Sequence, residues 1–247
     1  TYLNAEVYTG TPAWGEAEAA AKEAQKGNYK LLTDETISKD GVRYSAYQKL
    51  FMGDNHSNGA QEEALLLVYQ DGVYCQCWGG SRFVISATRD ANFIPWGSAD
   101  SWKCFRSSPE LVYKFAPKGA ADTIKANEYV MPIILGDDRA ILCSQSDSNK
   151  VQTWKLSGPM SAEFYDCWSV IKFTGVHSTS DHPSKSVGSD ANWPDTDIPL
   201  LRLAEAYMIE AEALYRQGKT ADALNIINNV IRKRADATPL TKLDETT

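Results

Sequence analysis

The chain has 247 residues and a formal net charge of −7; 43% of its residues are hydrophobic and 23% are charged. This composition is ordinary for a folded globular protein. The acidic balance argues against nucleic-acid binding, which requires clustered Lys and Arg. The sequence contains no apolar run of about eighteen residues, which is the length that a transmembrane helix needs.

The first predicted element is a helix over residues 12–26, PAWGEAEAAAKEAQK. Thr11 is a suitable N-cap, and Gly27 suits the left-handed residue that commonly ends a helix. Trp14 is followed by alanines at helical spacing, which gives a narrow face that another helix can approach closely. We therefore assign residues 1–27 to a helix of a tetratricopeptide-like scaffold.

Residues 28–196 differ from this helix and predict a loop-rich region with short strands. Ser108 and Pro109 are typical of the start of a short helix. Long polar connections, such as residues 174–196, separate the predicted elements, and connections of this length are frequently functional. We expect this region to bind the ligand. Five short apolar runs predict its strands: ALLLVYQ (64–70), RFVIS (82–86), YVMPIIL (129–135), VQTWKL (151–156) and SVIKF (169–173).

Residues 197–236 predict two helices joined by a tight turn. Gly218 is the predicted end of the first helix and Thr220 the predicted cap of the second. Such a pair resembles one tetratricopeptide-type repeat, and residues 237–247 begin a further segment. Apolar residues recur at steps of three and four along the first helix, as one buried face requires: Leu200, Leu203, Tyr207, Ala211 and Leu214.

Motifs of catalysis and of metal binding are weak. The stretch from Gly218 to Thr220 ends like a phosphate-binding loop, but no strand precedes it, and we reject that interpretation. His177 and His182 lie in a polar loop without a third ligand at a fixed spacing, so we predict no metal site there. The five cysteines are an odd number and too dispersed for a disulfide framework. No GxSxG motif occurs, and we assign no catalytic residue.

The strongest functional signal is an aromatic-rich stretch over residues 74–102. Aromatic rings stack on the C–H faces of sugars, while amides, carboxylates and guanidinium groups bind the hydroxyls, so a site needs a few polar groups beside an apolar lining. The alternative is that these rings fill a hydrophobic core. The predicted glycan-binding residues are five aromatic and three polar ones: Tyr74, Trp78, Phe93, Trp96, Trp102, Arg82, Asn92 and Asp100.

The segment IPLLRLAEAYMIEAEALYRQGKTADALNIINNVIRKRA, within residues 197–236, resembles the RagB/SusD family of nutrient-binding lipoproteins. The likeness rests on LLRLAEAY, then AEAL, then RKRA. Trp14, GNYKLL (27–32), Tyr47 and Asn55 agree with the family in order, and WGGSRFVIS (78–86) is a weaker match. The resemblance implies a mainly α fold with a loop-rich, short-strand region. In this SusD-like fold, tetratricopeptide-like helix pairs pack on an irregular ligand-binding portion.

The resemblance also implies a function. Family members are surface-exposed lipoproteins of the Bacteroidetes outer membrane that bind oligosaccharides or polysaccharides and pass them to a SusC-like TonB-dependent transporter. The resemblance implies no catalysis, no obligatory cofactor and no nucleic-acid partner, while some relatives hold a calcium ion. Membrane contact is expected only through a lipid anchor. Because family members extend further at both ends, we expect this chain to lack the lipidated N-terminal part and the C-terminal end.

Three functions remain as alternatives at this point. The first is non-catalytic glycan binding. The second is a helical-repeat interaction scaffold, or a member of the same family that binds peptides. The third and least favoured is a glycoside hydrolase, which requires two carboxylates facing each other across the scissile bond. Exposed Trp rings would favour the first function, whereas buried rings would favour the scaffold.

Overall fold

The computed structural model describes residues 11–39, 41–74, 76–88, 102, 104–105, 107–115, 136–143, 146–147, 150–151, 169–179 and 193–244. Its α-helices are α1 (Trp14–Ala24), α2 (Ala46–Lys49), α3 (Gly80–Thr88), α4 (Pro109–Phe115), α5 (Leu203–Arg216) and α6 (Thr220–Ile226). A 3-10 turn spans Ala60–Glu62, and α6 continues as a π-helix over Ile227–Arg232. The strands are β1 (Thr36–Ile37), β2 (Arg43–Tyr44), β3 (Ala64–Val68), β4 (Leu142–Cys143), β5 (Ser146–Asp147), β6 (Lys150–Val151), β7 (Ser169–Val170) and β8 (Ile198–Arg202).

Helices α1, α5 and α6 form the scaffold, with α5 packed between the other two. Ala17 and Ala21 are buried on α1, and small side chains at these positions let the backbones approach closely. Polar groups also join α1 to α5. The side-chain amide of Gln25, at the C-terminal end of α1, donates to Glu210 of α5 at 2.6 Å. Glu18 accepts hydrogen bonds from Lys219 and Gln217, each at 2.8 Å. The first predicted helix therefore packs on the predicted helix pair.

The turn between α5 and α6 follows the sequence signal. Gly218 has φ +81°, a conformation that favours glycine, and the Lys219 N–H donates to the Leu214 carbonyl at 2.9 Å. The predicted N-caps of α1 and α6, Thr11 and Thr220, are wrong. Ala13 precedes α1 and Lys219 precedes α6, and neither supplies a side-chain cap.

Strands β3 and β8 pair as an antiparallel ribbon that leads into α5, with Leu66 opposite Leu201 and Val68 opposite Ile198. This ribbon corrects the predicted start of the helix pair, since Leu200 lies in a strand and not on the helical face. The reason is Pro199, which disfavours a helical conformation in the residue before it and pairs here with Leu67.

The hydrophobic core of the irregular region lies between the loop after α2 and residues 171–176. The side-chain amide of Asn55 ties this loop to Asp197, the residue before β8, donating to its carbonyl at 2.9 Å and accepting from its N–H at 2.9 Å. One cluster contains Leu32, Ala46, Leu50, Phe51 and Ala60, with Tyr47 and Phe173 packed against it. A second contains Tyr44, Met52 and Val176, with Val42 at its edge.

Residues 82–86 were predicted as a strand, and that prediction is wrong because they form the middle of α3. Short apolar runs do not distinguish a strand from a buried helix by periodicity alone. The buried positions 81, 82, 85 and 86 follow helical spacing. The predicted runs at 64–70 and 169–173 do contain strands, and the helix at Pro109 is present. The run at 129–135 lies outside the described residues. Of the run at 151–156, only Val151 is described, and it ends β6.

The predicted fold class is confirmed: the described part of the chain is rich in helix, with few short strands and no closed sheet. The division at residues 27, 196 and 236 stays a prediction. Within the described ranges, no helix combines the length and the apolar character needed to cross a bilayer.

Candidate functional site

Helix α3 organises the candidate site, and its start depends on a glycine. Gly80 has φ +64°, and a Cβ there would lie 2.2 Å from the Gln70 side-chain oxygen. The chain can therefore turn sharply after Trp78 and enter the helix with Arg82 and Phe83 in its first turns. Arg82 is buried, while Phe83 is 40% exposed, so these two adjacent side chains lie in different environments.

Arg82 lies in a corner formed by two indole rings. Its guanidinium carbon is 3.9 Å from the Trp78 ring centre and 4.0 Å from the Trp193 ring centre. The two rings are 5.5 Å apart and meet at 76°, edge to face. Both contacts have the geometry of a cation–π interaction, which strengthens when the cation is removed from water.

Phe83 joins a second group of rings. Its ring centre is 5.7 Å from that of Trp102 and 5.6 Å from that of Phe105. The backbone places both partners, because the Trp102 N–H donates to the Ser86 carbonyl at 2.8 Å and the Phe105 N–H donates to the Ala87 carbonyl at 2.9 Å. These bonds also satisfy carbonyls near the end of α3, which a helix otherwise leaves without intrahelical partners.

Most of these rings face solvent. Trp78 is 63% exposed and Tyr74 is 86% exposed, while Phe105 and Trp102 are exposed to a lesser extent. Contiguous apolar area on a protein surface commonly marks an interaction site. We refer to this set as the aromatic surface: Tyr74, Trp78, Phe83, Trp102, Phe105 and Trp193.

Three carboxylates hold the turn that presents Tyr74. Asp71 accepts from the N–H groups of Val73 and Tyr74 at 2.7 and 2.8 Å. Asp195 accepts from the Gly72 N–H at 2.8 Å, and Asp197 accepts from the Gln70 N–H at 2.7 Å. Since Asp195 lies two residues after Trp193, the same segment supplies an aromatic ring and fixes the tyrosine turn. The backbone of this turn is therefore ordered before any ligand arrives.

Asp197 is the titratable group of this region whose environment is most unusual. It is 1% exposed, and among the described residues its Oδ2 has no hydrogen-bond partner. Burial raises the pKa of its carboxyl, and the hydrogen bond from the Gln70 N–H opposes that rise. The position of this carboxylate under the turn gives it a structural role.

The described part of the chain contains no group of three His, Cys, Asp or Glu side chains placed to hold a metal ion. The adjacent carboxylates of Asp137 and Asp138 are each paired with an arginine at a short distance. Arg139 donates to Asp137 at 2.6 Å, and Arg43 donates to Asp138 at 2.7 Å.

Two cavities of the described structure lie in the helical scaffold and not at the aromatic surface. One, of about 380 Å³, is bounded by α5, the π-helix and residues 240–244. The other, of about 270 Å³, lies between the alanine face of α1, α5 and the β3–β8 ribbon. No residue of the aromatic surface lines either one. The open aromatic surface is the candidate site, because rings that stack on a sugar need accessible faces.

The structure places Trp78 in contact with Arg82, which is buried against two rings. It places Trp102 against Phe83, and Tyr74 on an exposed turn. Sequence reasoning missed Phe83, Phe105 and Trp193. The signal for Trp193 was a lone large aromatic residue in an otherwise polar connection. Four other predicted site residues lie outside the described residues, and their assignment stays a prediction: Phe93, Trp96, Asn92 and Asp100.

Comparison with known proteins gives the family. The sequence model of the SusD family matches residues 86–247, which is more than half of the chain. The chain belongs to the SusD family. It is 36% identical over 265 residues to the starch-binding protein SusD of Bacteroides thetaiotaomicron, an alignment that covers 96% of this chain and 44% of that protein. The chain thus spans less than half the length of this curated relative, and the predicted family resemblance is confirmed.

Solved structures agree with the fold. A SusD superfamily protein from Parabacteroides distasonis matches with a TM-score of 0.53 and 16% identity, over 94% of this chain and 40% of that one. At this identity the likeness shows the fold alone. Surface glycan-binding protein A from Bacteroides thetaiotaomicron matches more loosely, with a TM-score of 0.45 and 11% identity over 95% of this chain and 46% of that one. That second likeness is too loose to support an argument.

Proposed function

We propose that this chain is part of a non-catalytic, glycan-binding protein of the cell surface. It binds oligosaccharides or polysaccharides and delivers them to a TonB-dependent transporter of the outer membrane. SusD-family proteins are non-catalytic carbohydrate-binding proteins, and the relative from Bacteroides thetaiotaomicron is named for starch. Starch-type glucans are therefore the first ligands to test.

The observation that carries the proposal is the open face of Trp78. The ring is 63% exposed, although Arg82 and Trp193 hold it from one side. Large apolar rings that lie together at a protein surface commonly mark an interaction site. The exposure of Trp78 and Tyr74 also argues against a purely structural role for the aromatic residues, which the scaffold alternative requires.

Affinity is expected to be modest. Stacking and partly hydrated hydrogen bonds leave a small net free energy once the sugar and the side chains are ordered, which corresponds to a dissociation constant of roughly millimolar to micromolar. Because the turn at Tyr74 and the two indoles are ordered in advance, most of the conformational entropy lost on binding is that of the ligand. Long oligosaccharides that reach both groups of rings should bind more tightly than short ones.

The test is retardation of the chain in native gels containing soluble starch, followed by calorimetric titration with maltoheptaose. Trp78→Ala should weaken binding about tenfold, equivalent to about 1.4 kcal/mol. Trp102→Ala should cost less, because that ring is only 36% exposed and packs partly on Phe83. Tyr29→Ala is the matched control, since Tyr29 is 40% exposed and lies outside the aromatic surface.

Two results would count against the proposal. One is an absence of binding to starch and to a panel of β-glucans, mannans and host glycans, with peptide binding in its place. The other is glycan binding that Trp78→Ala and Tyr74→Ala both leave intact. Release of reducing sugar from a bound glycan would support the hydrolase alternative.

A further inference from the structure

We infer that Arg82 is a positioning residue for glycan binding: it orients Trp78 through cation–π contacts and does not itself bind the sugar. This inference rests on the proposed function. Sequence reasoning assigned Arg82 to the sugar hydroxyls, as an exposed guanidinium would serve. In the structure the residue is 5% exposed, and its guanidinium lies against two indole rings.

The backbone around Trp78 explains why the ring needs such support. Trp78 is followed by Gly79 and Gly80, so no adjacent side chain on that side restricts the indole. Gly80 adopts φ +64°, and the helix that begins there places Arg82 one turn beyond Trp78. The ring is thus attached to a permissive backbone and is fixed from the side by Arg82.

Arginine suits this position for reasons of shape and hydration. Its guanidinium is planar and weakly hydrated, so it lies against aromatic faces at a smaller desolvation cost than a lysine ammonium. The distances of 3.9, 4.0 and 5.5 Å among the cation and the two rings put the guanidinium inside the corner that the rings form. With the inside of the corner filled, the outer face of Trp78 is the one left for a ligand.

The second ring of the corner is itself anchored. Trp193 begins the segment whose carboxylates hold the tyrosine turn, with Asp195 at 2.8 Å from the Gly72 nitrogen and Asp197 at 2.7 Å from the Gln70 nitrogen. Arg82 therefore links Trp78 to a fixed part of the structure. A ring held still loses less conformational entropy on binding, so Arg82 raises affinity without touching the sugar.

A double-mutant cycle on the full chain separates this role from direct contact. The variants are Trp78→Ala, Arg82→Met and the combination of both, with maltoheptaose as the ligand. Arg82→Met keeps the aliphatic stem and removes the planar cation, and it should weaken binding about fivefold to tenfold. The double variant should bind no more weakly than Trp78→Ala alone, because Arg82 acts through that ring.

Two further variants control for folding and charge. Arg82→Lys keeps the charge and most of the volume, so it should fall between wild type and Arg82→Met. Arg216→Met removes an arginine that lies 5.8 Å from the Trp14 ring in the helical scaffold, and it should leave binding unchanged. The near-ultraviolet circular dichroism of the indoles should weaken in Arg82→Met, which reports on ring orientation independently of any ligand.

The results that would overturn the inference are distinct from those that would overturn the proposed function. If the wild-type chain binds maltoheptaose and Arg82→Met binds equally well, the inference is wrong and the proposed function stands. Losses that multiply in the double variant would assign Arg82 to the sugar directly, which also contradicts the inference. If wild type binds no glycan, the proposed function fails, and a positioning role in binding fails with it.

Discussion

Replacing Glu63 should destabilise the chain more than any comparable change of a surface carboxylate. Glu63 is fully buried immediately before β3, and three donors reach its carboxylate. The Leu32 N–H lies at 3.0 Å, Arg202 at 2.8 Å and Arg234 at 2.5 Å. These bonds join β3, β8, the loop after α1 and the end of the π-helix. Glu63→Gln keeps the shape and removes the charge that both arginines face.

The magnitude follows from burial. The Arg234 side chain is only 4% exposed, so it would remain as a buried cation without its counter-charge. Breaking a buried ion pair by removing one partner costs about 3–5 kcal/mol. For a chain of this size, each kcal/mol lowers the melting temperature by about 2–4 °C, so Glu63→Gln should melt about 10 °C below wild type.

Thermal unfolding followed by circular dichroism at 222 nm measures this effect, and the neighbouring residue supplies the control. Glu62 pairs with Lys30 at 2.6 Å, but both side chains are largely exposed, and such pairs contribute under about 1 kcal/mol. Glu62→Gln should therefore melt within about 2 °C of wild type. Equal melting temperatures for the two variants would show that the buried triad does not hold the fold together.

Two further predictions concern acid stability and backbone packing. The pKa of the Glu18 carboxyl is lowered from 4.5 to about 2, mainly by the hydrogen bond from Lys219 and further by those from Lys22 and Gln217. Its contribution, about 1 kcal/mol because the lysines are half exposed, is present above pH 4.5 and is lost as pH falls towards 2. The difference between Glu18→Gln and wild type in urea unfolding should be largest near pH 6 and should shrink as pH falls to 2, and a difference as large at pH 2 as at pH 6 would contradict this. Gly53→Ala would place a Cβ 2.5 Å from the Gly175 carbonyl oxygen, so it should cost about 1–3 kcal/mol in the same assay, and an unchanged midpoint would refute that close contact.

The sequence predicts those parts of the fold whose signals are local. The stripe that includes Leu203, Ala211 and Leu214 marks α5 because helical periodicity is visible within a few turns. The pairing of β3 with β8 was not predicted, because it joins distant segments and depends on Pro199 and Glu63. Helix α3 was predicted as a strand, since an apolar run of five residues fits either conformation once it is buried.

The residues of the candidate site also differ in whether a local sequence signal identifies them. Tyr74, Trp78 and Trp102 fall within one short stretch, so composition alone was sufficient to single them out. Trp193 reaches the site only through the fold, held near it by Asp195. The burial of Arg82 was equally invisible in the sequence, because residue type does not tell whether a guanidinium faces water or an indole.

The most direct test of glycan binding at the aromatic surface is a crystal structure of this chain with bound maltoheptaose. We expect glucose rings stacked on the outer face of Trp78 at about 4 Å, the usual distance of carbon–carbon contact, with Arg82 still buried behind the ring. An oligosaccharide bound elsewhere, such as in the cavity between α5 and residues 240–244, with the aromatic surface empty, would contradict it.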